Sequence, residues 1–336
     1  MKTSAKVCSA LSMAIISCSA SFSAYADCEI DDVIQIADMS WSSASTIAHI
    51  ESKILEAGYG CETELVPGDT VPTATTMVKK GRPHIAPELW SSNAAELLKE
   101  GEEAGKISIA GDVYLGGGID GWFIPKYVSD AYPDLKTAAD LARYSHLFPD
   151  PDEPEKGRFY NSLPGWTTEI RSTNLIKGYG LSDHYNLFSA GSGAALDAAI
   201  SSHYKRKRPI VFYYWAPSAI LGKYEMVQLE MNDFDPENDS CNSEENCENP
   251  TAGGFRVAKV NTIVVNEIKD QAPALYGFLQ NVSFETDQIN RLLAWGVDNR
   301  AEPEEIAEYF LENYQDIWST WVPDDVAEKV IADLKK

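Results

Sequence analysis

The stretch VIQIADMSWSSASTIAHIESKILEAGYGCETELVPG, residues 33–68, decides the fold class. Its two ends, 33–39 and 62–67, are short runs rich in apolar and β-branched residues, which is typical of strands. Between them, apolar residues recur at helical spacing over 42–57, and Gly58 marks the predicted end of the helix. A strand–helix–strand unit of this length predicts two parallel neighbouring strands with a helix covering them.

The same alternation continues beyond this stretch. A helical pattern near 73–80 stops at Gly81, a short strand follows at 84–90, and another helix is predicted at 92–101. Repeated units of this kind predict an α/β fold with a mainly parallel sheet flanked by helices. Three consecutive glycines, 116–118, then interrupt the pattern and indicate a crossover to a second lobe.

The rest of the chain predicts that second lobe and a return to the first. Predicted strands lie at 121–125, 209–215 and 255–265, and predicted helices at 137–143, 167–178, 193–203, 268–281, 284–297 and 303–320. The first lobe then comprises 27–118 and 253–336, and the second comprises 119–252. Because ligands of open α/β sheets bind where the strands end, we expect the binding site in the cleft between the lobes.

The N-terminus predicts export. Two lysines precede an apolar run over 7–22, and AYA at 24–26 is a small–x–small cleavage site, so residues 1–26 are expected to be a signal peptide. Cys18 ends a run that resembles a lipobox, which keeps a lipid anchor open as the alternative. We favour cleavage because the apolar run before Cys18 is short, and we expect a periplasmic protein.

The charge balance is strongly acidic. The chain has 28 Lys and Arg against 51 Asp and Glu, which gives a net charge of −23. Such a surface repels nucleic acid and anionic lipid, so neither is an expected partner, and it tolerates a cationic ligand. We expect the chain to act as a monomer.

Six cysteines are present, and two of them fall in the signal segment. The other four predict two disulfides in an oxidising compartment, with three possible pairings. Cys28 precedes the first predicted strand and Cys61 the second, so the pair Cys28–Cys61 suits parallel neighbours, and Cys241–Cys247 then closes a short loop. A zinc site is the alternative, although the chain has no CxxC and no nearby histidine to support it.

Catalytic and metal-binding patterns are weak. The five histidines are far apart, GSG at 191–193 is not a nucleophile elbow, and GGG at 116–118 is not a phosphate loop, so we do not expect an enzyme. Acidic stretches at 148–157 and 232–250 carry oxygen ligands at close spacing, as calcium loops do. The candidate ligands of a structural calcium are Asp150, Asp152 and Glu155, although most acidic loops are simply solvated. No cofactor is required for the function that we predict.

Five tryptophans lie at the edges of predicted elements: Trp41, Trp90, Trp122, Trp166 and Trp215. A core position is the better interpretation for any single one, but five at edges in both lobes indicate a cleft lined by rings. A quaternary ammonium group suits such rings because it has no N–H to donate and its diffuse charge is attracted to π faces, each worth up to about 2 kcal/mol.

A zwitterion also needs its negative end to be bound. The sequence LPGWTTE, 163–169, leads into the predicted helix 167–178, whose first backbone N–H groups are able to receive an oxyanion. The hydroxyls of Thr167 and Thr168 are candidates to assist them. The alternative is that Thr167 merely caps this helix.

Three stretches at this spacing, APELWSSN (86–93), LPGWTTE (163–169) and RPIVFYYWAP (208–217), resemble the glycine betaine-type substrate-binding proteins of ABC importers. The resemblance covers most of the mature chain. It implies the type II fold of periplasmic substrate-binding proteins, in which two α/β lobes close on a methylated ammonium solute. It also implies an aromatic cage for the ammonium group and helix-terminal amides for a carboxylate.

The resemblance carries over to individual rings. Trp90, Trp166 and Trp215 match the cage positions of the family, and Trp41 and Trp122 match aromatic positions of the related choline binders.

Two departures concern the ligand. Ala94 stands where glycine betaine binders place a histidine that contributes to the carboxylate, which favours a smaller zwitterion such as trimethylamine N-oxide. Ser43 stands where choline binders place an aspartate for the hydroxyl of choline, so choline is a less favoured ligand.

The predicted function is therefore capture of a methylated ammonium solute and its delivery to an ABC permease in the inner membrane. Trimethylamine N-oxide is favoured, with glycine betaine a close second and choline or carnitine as alternatives. From other classes, an exported hydrolase of a choline-containing compound would need a nucleophile or a metal beside the rings. A sugar-binding module would need more polar side chains there.

Overall fold

A computed structural model describes residues 28–336. It confirms the predicted two-lobed α/β fold, and the strands form two five-stranded sheets. The predicted signal peptide, 1–26, lies outside the described residues. The first sheet has the order β2-β1-β3-β10-β4, with β1 Ile34–Met39, β2 Thr63–Gly68, β3 Ile85–Leu89, β4 Ile107–Asp112 and β10 Asn261–Val265. The second has the order β7-β6-β8-β5-β9, with β5 Ile119–Pro125, β6 Gly157–Asn161, β7 Tyr185–Ser189, β8 Val211–Ala216 and β9 Met226–Gln228.

Both sheets are mixed. In the first sheet β1 is parallel to β2 and β3, whereas β10 is antiparallel to β3 and β4. In the second sheet β6 is parallel to β7 and β8, whereas β5 is antiparallel to β8 and β9. The antiparallel strands β5 and β10 are the ones that follow the two crossings between the sheets, so each enters its sheet against the direction of the parallel strands.

Helices cover both sheets. They are α1 Ser42–Tyr59, α2 Thr70–Lys80, α3 Ala95–Glu103, α4 Lys126–Ala131, α5 Leu141–Tyr144, α6 Thr167–Gly178, α7 Gly193–Lys205, α8 Ala219–Lys223, α9 Pro236–Asn242, α10 Asn266–Gln271, α11 Pro273–Asn281, α12 Thr286–Asn299, α13 Pro303–Asn313, α14 Gln315–Trp318 and α15 Asp324–Asp333. In the part of the chain that the structure describes, no helix combines the length and the apolar character that crossing a membrane requires.

Some predicted boundaries are wrong for identifiable reasons. Helix α1 continues through Gly58 and ends instead at the left-handed Gly60 with φ 70°. Gly58 serves packing, since a Cβ at that position would lie 2.6 Å from Val326 of α15. Helix α2 begins at Thr70 because the Asp69 carboxylate accepts the backbone N–H of that residue. The helix predicted at 268–281 is divided, since Pro273 begins a new helix.

Other elements have no counterpart among the predicted ones. They are β4, β6, β7, β9, α4, α8, α9 and α15, and the strand predicted at 255–265 is confined to Asn261–Val265.

Both expected disulfides are present in the structure. Cys28 and Cys61 are bonded with their Cα atoms 4.7 Å apart, just before the paired strands β1 and β2. Cys241 and Cys247 are bonded across the end of α9.

Candidate ligand-binding cleft

Four of the five tryptophans line one cavity between the two sheets. Trp41 and Trp90 come from the first lobe, and Trp166 and Trp215 come from the second. The remaining lining residues are Asp69, Thr70, Val71, Asn93, Gly165, Thr167, Thr168 and Tyr213. The structure therefore brings the carboxyl ends of β1 and β3 against the start of α6 and the end of β8.

The first-lobe rings are placed by the ends of two neighbouring parallel strands. Trp41 follows β1 and precedes the first residue of α1, and Trp90 follows β3. The ring of Trp90 packs on the crossing between the lobes, where a Cβ on Gly118 would lie 2.6 Å from ring atom Cη2. A glycine is thus required at this point of the crossing for the ring to keep its place.

Trp166 is placed by a tight turn before α6. Gly165 has φ 90°, a left-handed conformation that suits glycine, and Trp166 is the N-cap residue of the helix. Its ring lies edge to face with two other walls, with centroids 5.7 Å from Trp41 and 5.2 Å from Trp215. The two pairs have interplanar angles of 81° and 68°, so adjacent walls stand almost at right angles.

Strand β8 supplies two rings to the cavity and one to the layer behind it. Tyr213 and Trp215 both line the cavity, with stacked rings whose centroids are 6.3 Å apart. The ring of Tyr214 stacks on Trp215 at 4.4 Å, and its hydroxyl donates to Asp197. The hydroxyl of Tyr213 donates to Asp120, whose pKa burial raises to about 6.

Glu88 is a buried carboxylate behind the first-lobe rings that the sequence analysis does not single out. Its Oε1 accepts hydrogen bonds from Trp41 Nε1 at 2.7 Å, Trp90 Nε1 at 3.1 Å and Ser43 Oγ at 3.1 Å. Burial raises the pKa of Glu88, and the hydrogen bonds from these groups act in the opposite direction. The hydroxyl of Ser43 is therefore already hydrogen-bonded to Glu88.

Asp69 is a second carboxylate that the sequence analysis does not single out, and it lines the cavity itself. Its Oδ1 accepts the backbone N–H of Thr70 at 2.8 Å, which fixes the side chain at the start of α2. Its Oδ2 accepts from Ser40 Oγ at 3.1 Å and from Trp166 Nε1 at 3.0 Å. The cavity wall thus includes one negative charge from the first lobe.

The hydroxyls of Thr167 and Thr168 are already engaged. Thr167 Oγ1 donates to the backbone carbonyl of Asn93 at 3.2 Å, and Thr168 Oγ1 shares a hydrogen bond of 2.8 Å with Ser162 Oγ. The N-cap residue of α6 is Trp166, so Thr167 is not the cap. Both threonines line the cavity in the first turn of α6, where backbone N–H groups have no partner within the helix.

Trp122 is not among the cavity residues, contrary to its predicted role. It is fully buried in β5, donates Nε1 to Ser172 Oγ at 3.1 Å, and packs on Phe159 with centroids 4.8 Å apart. Its side chain points to the face of β5 that α6 covers, so it belongs to the core of the second lobe.

The candidate calcium ligands do not form a cluster. Asp150 and Asp152 both pair with Arg158, at 3.0 Å and 2.7 Å, and Asp150 Oδ1 also accepts two backbone N–H groups. The Arg158 guanidinium holds the pKa of Asp150 at about 2. Within residues 28–336 no group of three or more His, Cys, Asp or Glu is arranged to hold a metal ion.

A family model described as the substrate binding domain of ABC-type glycine betaine transport system matches residues 32–313. Over 164 residues the chain is 27% identical to the glycine betaine/carnitine transport binding protein GbuC of Listeria monocytogenes, covering 49% of this chain and 48% of that protein. The chain thus spans about half the length of this relative.

Two further comparisons cover most of the chain. Over 294 residues it is 24% identical to the trimethylamine N-oxide-binding protein of Pelagibacter ubique, covering 85% of this chain and 89% of that protein. The crystal structure of the glycine/betaine/L-proline-binding protein (ProX) from Borrelia burgdorferi is similar, with a TM-score of 0.69 and 20% identity. That likeness covers 89% of this chain and 100% of the other, and it shows the fold.

Proposed function

Because the chain belongs to the family of substrate-binding domains of ABC-type glycine betaine transport systems, we propose that it captures a methylated ammonium solute in the tryptophan-lined cavity. It then delivers this solute to an ABC permease. The observation that carries the proposal is the convergence of four indole rings from two lobes on one cavity. Three or four such faces contribute on the order of 6–8 kcal/mol before the costs of binding, which corresponds to micromolar affinity.

Charge supports a cationic ligand group. Asp69 lines the cavity, Glu88 lies behind two of its rings, and Asp120 lies behind Tyr213. These carboxylates favour a positive charge at the centre of the rings.

Trimethylamine N-oxide is the favoured ligand, with glycine betaine second. The oxygen of the N-oxide is compact and needs a few N–H donors, which the first turn of α6 offers at Thr167 and Thr168. Ala94, in place of a histidine, removes a donor that a carboxylate would use. The relative from Pelagibacter ubique, which carries the name of a trimethylamine N-oxide-binding protein, supports the same choice.

Choline is a further alternative, because Asp69 Oδ2 in the cavity wall is an acceptor for a ligand hydroxyl. We further propose that the protein is exported to the periplasm, with residues 1–26 as its signal peptide.

Calorimetric titration of the purified protein with trimethylamine N-oxide, glycine betaine, choline, carnitine and a panel of sugars tests the proposal. We expect trimethylamine N-oxide to bind most tightly, with a dissociation constant on the order of micromolar. Binding of sugars alone, or turnover of any of these compounds, would refute it.

A further inference from the structure

The polar hydrogens of the cavity rings share one kind of partner. Apart from Trp215, each ring that lines the cavity donates its N–H or O–H to a carboxylate: Trp41 and Trp90 to Glu88, Trp166 to Asp69, and Tyr213 to Asp120. None of these hydrogens is therefore left to bond a ligand. The rings meet the ligand with their carbon faces and edges.

A carboxylate on the ring hydrogen also changes the ring itself. A negative acceptor at the N–H edge polarises the π system toward the faces, because hydrogen bonds in a medium of low dielectric constant polarise their donors. A more negative face attracts a cation more strongly. These hydrogen bonds therefore fix the orientation of the rings. They also make the ring faces more negative, which is the property that attracts a quaternary ammonium group.

Glu88 is distinguished from the other carboxylates by its bonding and its place. It is fully buried and is not among the cavity residues. Three donors converge on Oε1, and hydrogen bonds of this kind favour the ionised form. The second oxygen, Oε2, is buried and has no hydrogen-bond partner among the described residues.

The groups that donate hydrogen bonds to Glu88 are all neutral, namely two indoles and the hydroxyl of Ser43. The strongest influences on the pKa of this carboxyl are burial and neutral hydrogen-bond donors. A cation held against Trp41 and Trp90 would therefore supply a balancing charge, separated from Glu88 by the two indoles.

We propose that Glu88 is a positioning residue of the cavity. Without touching the ligand, it fixes Trp41 and Trp90 and supplies through them the negative charge that makes the cavity select a cation. This inference rests on the proposed function, since it assigns how the same site distinguishes its ligands.

Substitution Glu88→Gln separates this role from a structural one. Glutamine keeps an acceptor oxygen of the same reach for the indoles and removes the charge. A buried carboxylate with no basic partner costs stability, so its neutral replacement is expected to be as stable as the wild type or more stable. The affinity for a methylated ammonium compound is nevertheless expected to fall by about tenfold.

The experiment compares wild type, E88Q and the control E51Q by calorimetric titration with tetramethylammonium, trimethylamine N-oxide and glycine betaine. Each protein is also unfolded in urea. Glu51 is a buried carboxylate of the same lobe whose oxygens bond no cavity residue, so E51Q is expected to bind within about twofold of the wild type.

A weakened affinity in E88Q with undiminished stability supports the proposal. It is overturned if E88Q binds as the wild type does, if E51Q loses as much affinity, or if affinity and stability fall together. Wild-type protein that binds none of the three compounds would instead refute the proposed function, and this inference with it.

Discussion

The indole Nε1 of Trp166 lies 3.0 Å from Oδ2 of Asp69, and this hydrogen bond spans the cleft between the lobes. Trp166 precedes α6 of the second lobe, and Asp69 precedes α2 of the first. A second contact across the cleft, from Thr167 Oγ1 to the carbonyl of Asn93, lies beside it. Trp166 is thus both a wall of the cavity and a link that holds the lobes together.

The first prediction concerns this link. Trp166→Phe keeps an aromatic face but removes the N–H, and Asp69→Ala removes the acceptor. Because Trp166 both lines the cavity and bonds Asp69 across the cleft, each change is expected to weaken ligand affinity by about tenfold. Titration of both single variants and the double variant measures the coupling. Single effects that simply add would show that the Asp69–Trp166 bond contributes nothing to binding.

The second prediction concerns the walls of the cavity. Trp215→Ala is expected to abolish binding of methylated ammonium compounds, because it removes one ring face and opens the cavity to water. Calorimetric titration measures the loss, and circular dichroism verifies that the fold is retained. Retained affinity would show that Trp215 serves only the core.

Trp295→Ala is the matched control. Trp295 lies on α12, where its ring stacks on Tyr309 with centroids 3.7 Å apart, and it is not among the cavity residues. This change is expected to lower stability and to leave affinity unaltered.

The third prediction concerns Trp122. Trp122→Phe removes the hydrogen bond to Ser172 and part of the ring volume in the core of the second lobe. We expect the free energy of unfolding to fall by about 1–3 kcal/mol, with affinity unchanged. Urea unfolding and titration of the same preparation measure both quantities. Lost affinity at full stability would place Trp122 in the binding site after all.

The fourth prediction concerns pH. Burial raises the pKa of Glu51 to about 8 in the folded protein, above its ordinary value of 4.5. Below about pH 4.5 the carboxyl is neutral in both the folded and the unfolded protein. As the pH rises towards about 8 it ionises only in the unfolded protein, so the folded protein loses stability over this range. Glu51→Gln removes this loss. The free energy of unfolding of the variant, relative to that of the wild type, is therefore expected to increase by about 3–5 kcal/mol as the pH rises from about 5 to about 8. Urea unfolding at both pH values measures the gain, and a difference independent of pH would contradict the prediction.

Local sequence patterns predict much of the fold. Helices α1, α6 and α7 have apolar periodicity and end signals, and β1, β2 and β8 are apolar runs, so their order predicts the two α/β lobes. Strand β6 has the polar sequence GRFYN, and it is a strand because β7 and β8 pair with it on both sides. Partners of this kind are distant in the chain, and local patterns do not contain them.

The residues of the cavity are likewise only partly predictable from the sequence. Trp41 and Trp90 are predictable because residues after neighbouring parallel strands meet at one sheet edge. Trp122 is not predictable, because the alternation of a strand defines two faces without saying which one meets the cleft. Glu88 lies inside the stretch APELWSSN, but one of the rings that bond it, Trp41, is 47 residues away in sequence, and a local pattern does not contain such a contact.

The most direct test of the account compares trimethylamine N-oxide with tert-butanol, which has the same three methyl groups and oxygen around a neutral carbon. The two ligands are matched in size, so the ratio of their dissociation constants for the wild-type protein measures the contribution of the N⁺–O⁻ charge pair. Trimethylamine N-oxide is expected to bind at least about a hundredfold more tightly. Affinities equal within about threefold would contradict it, because the rings would then be recognising only apolar shape.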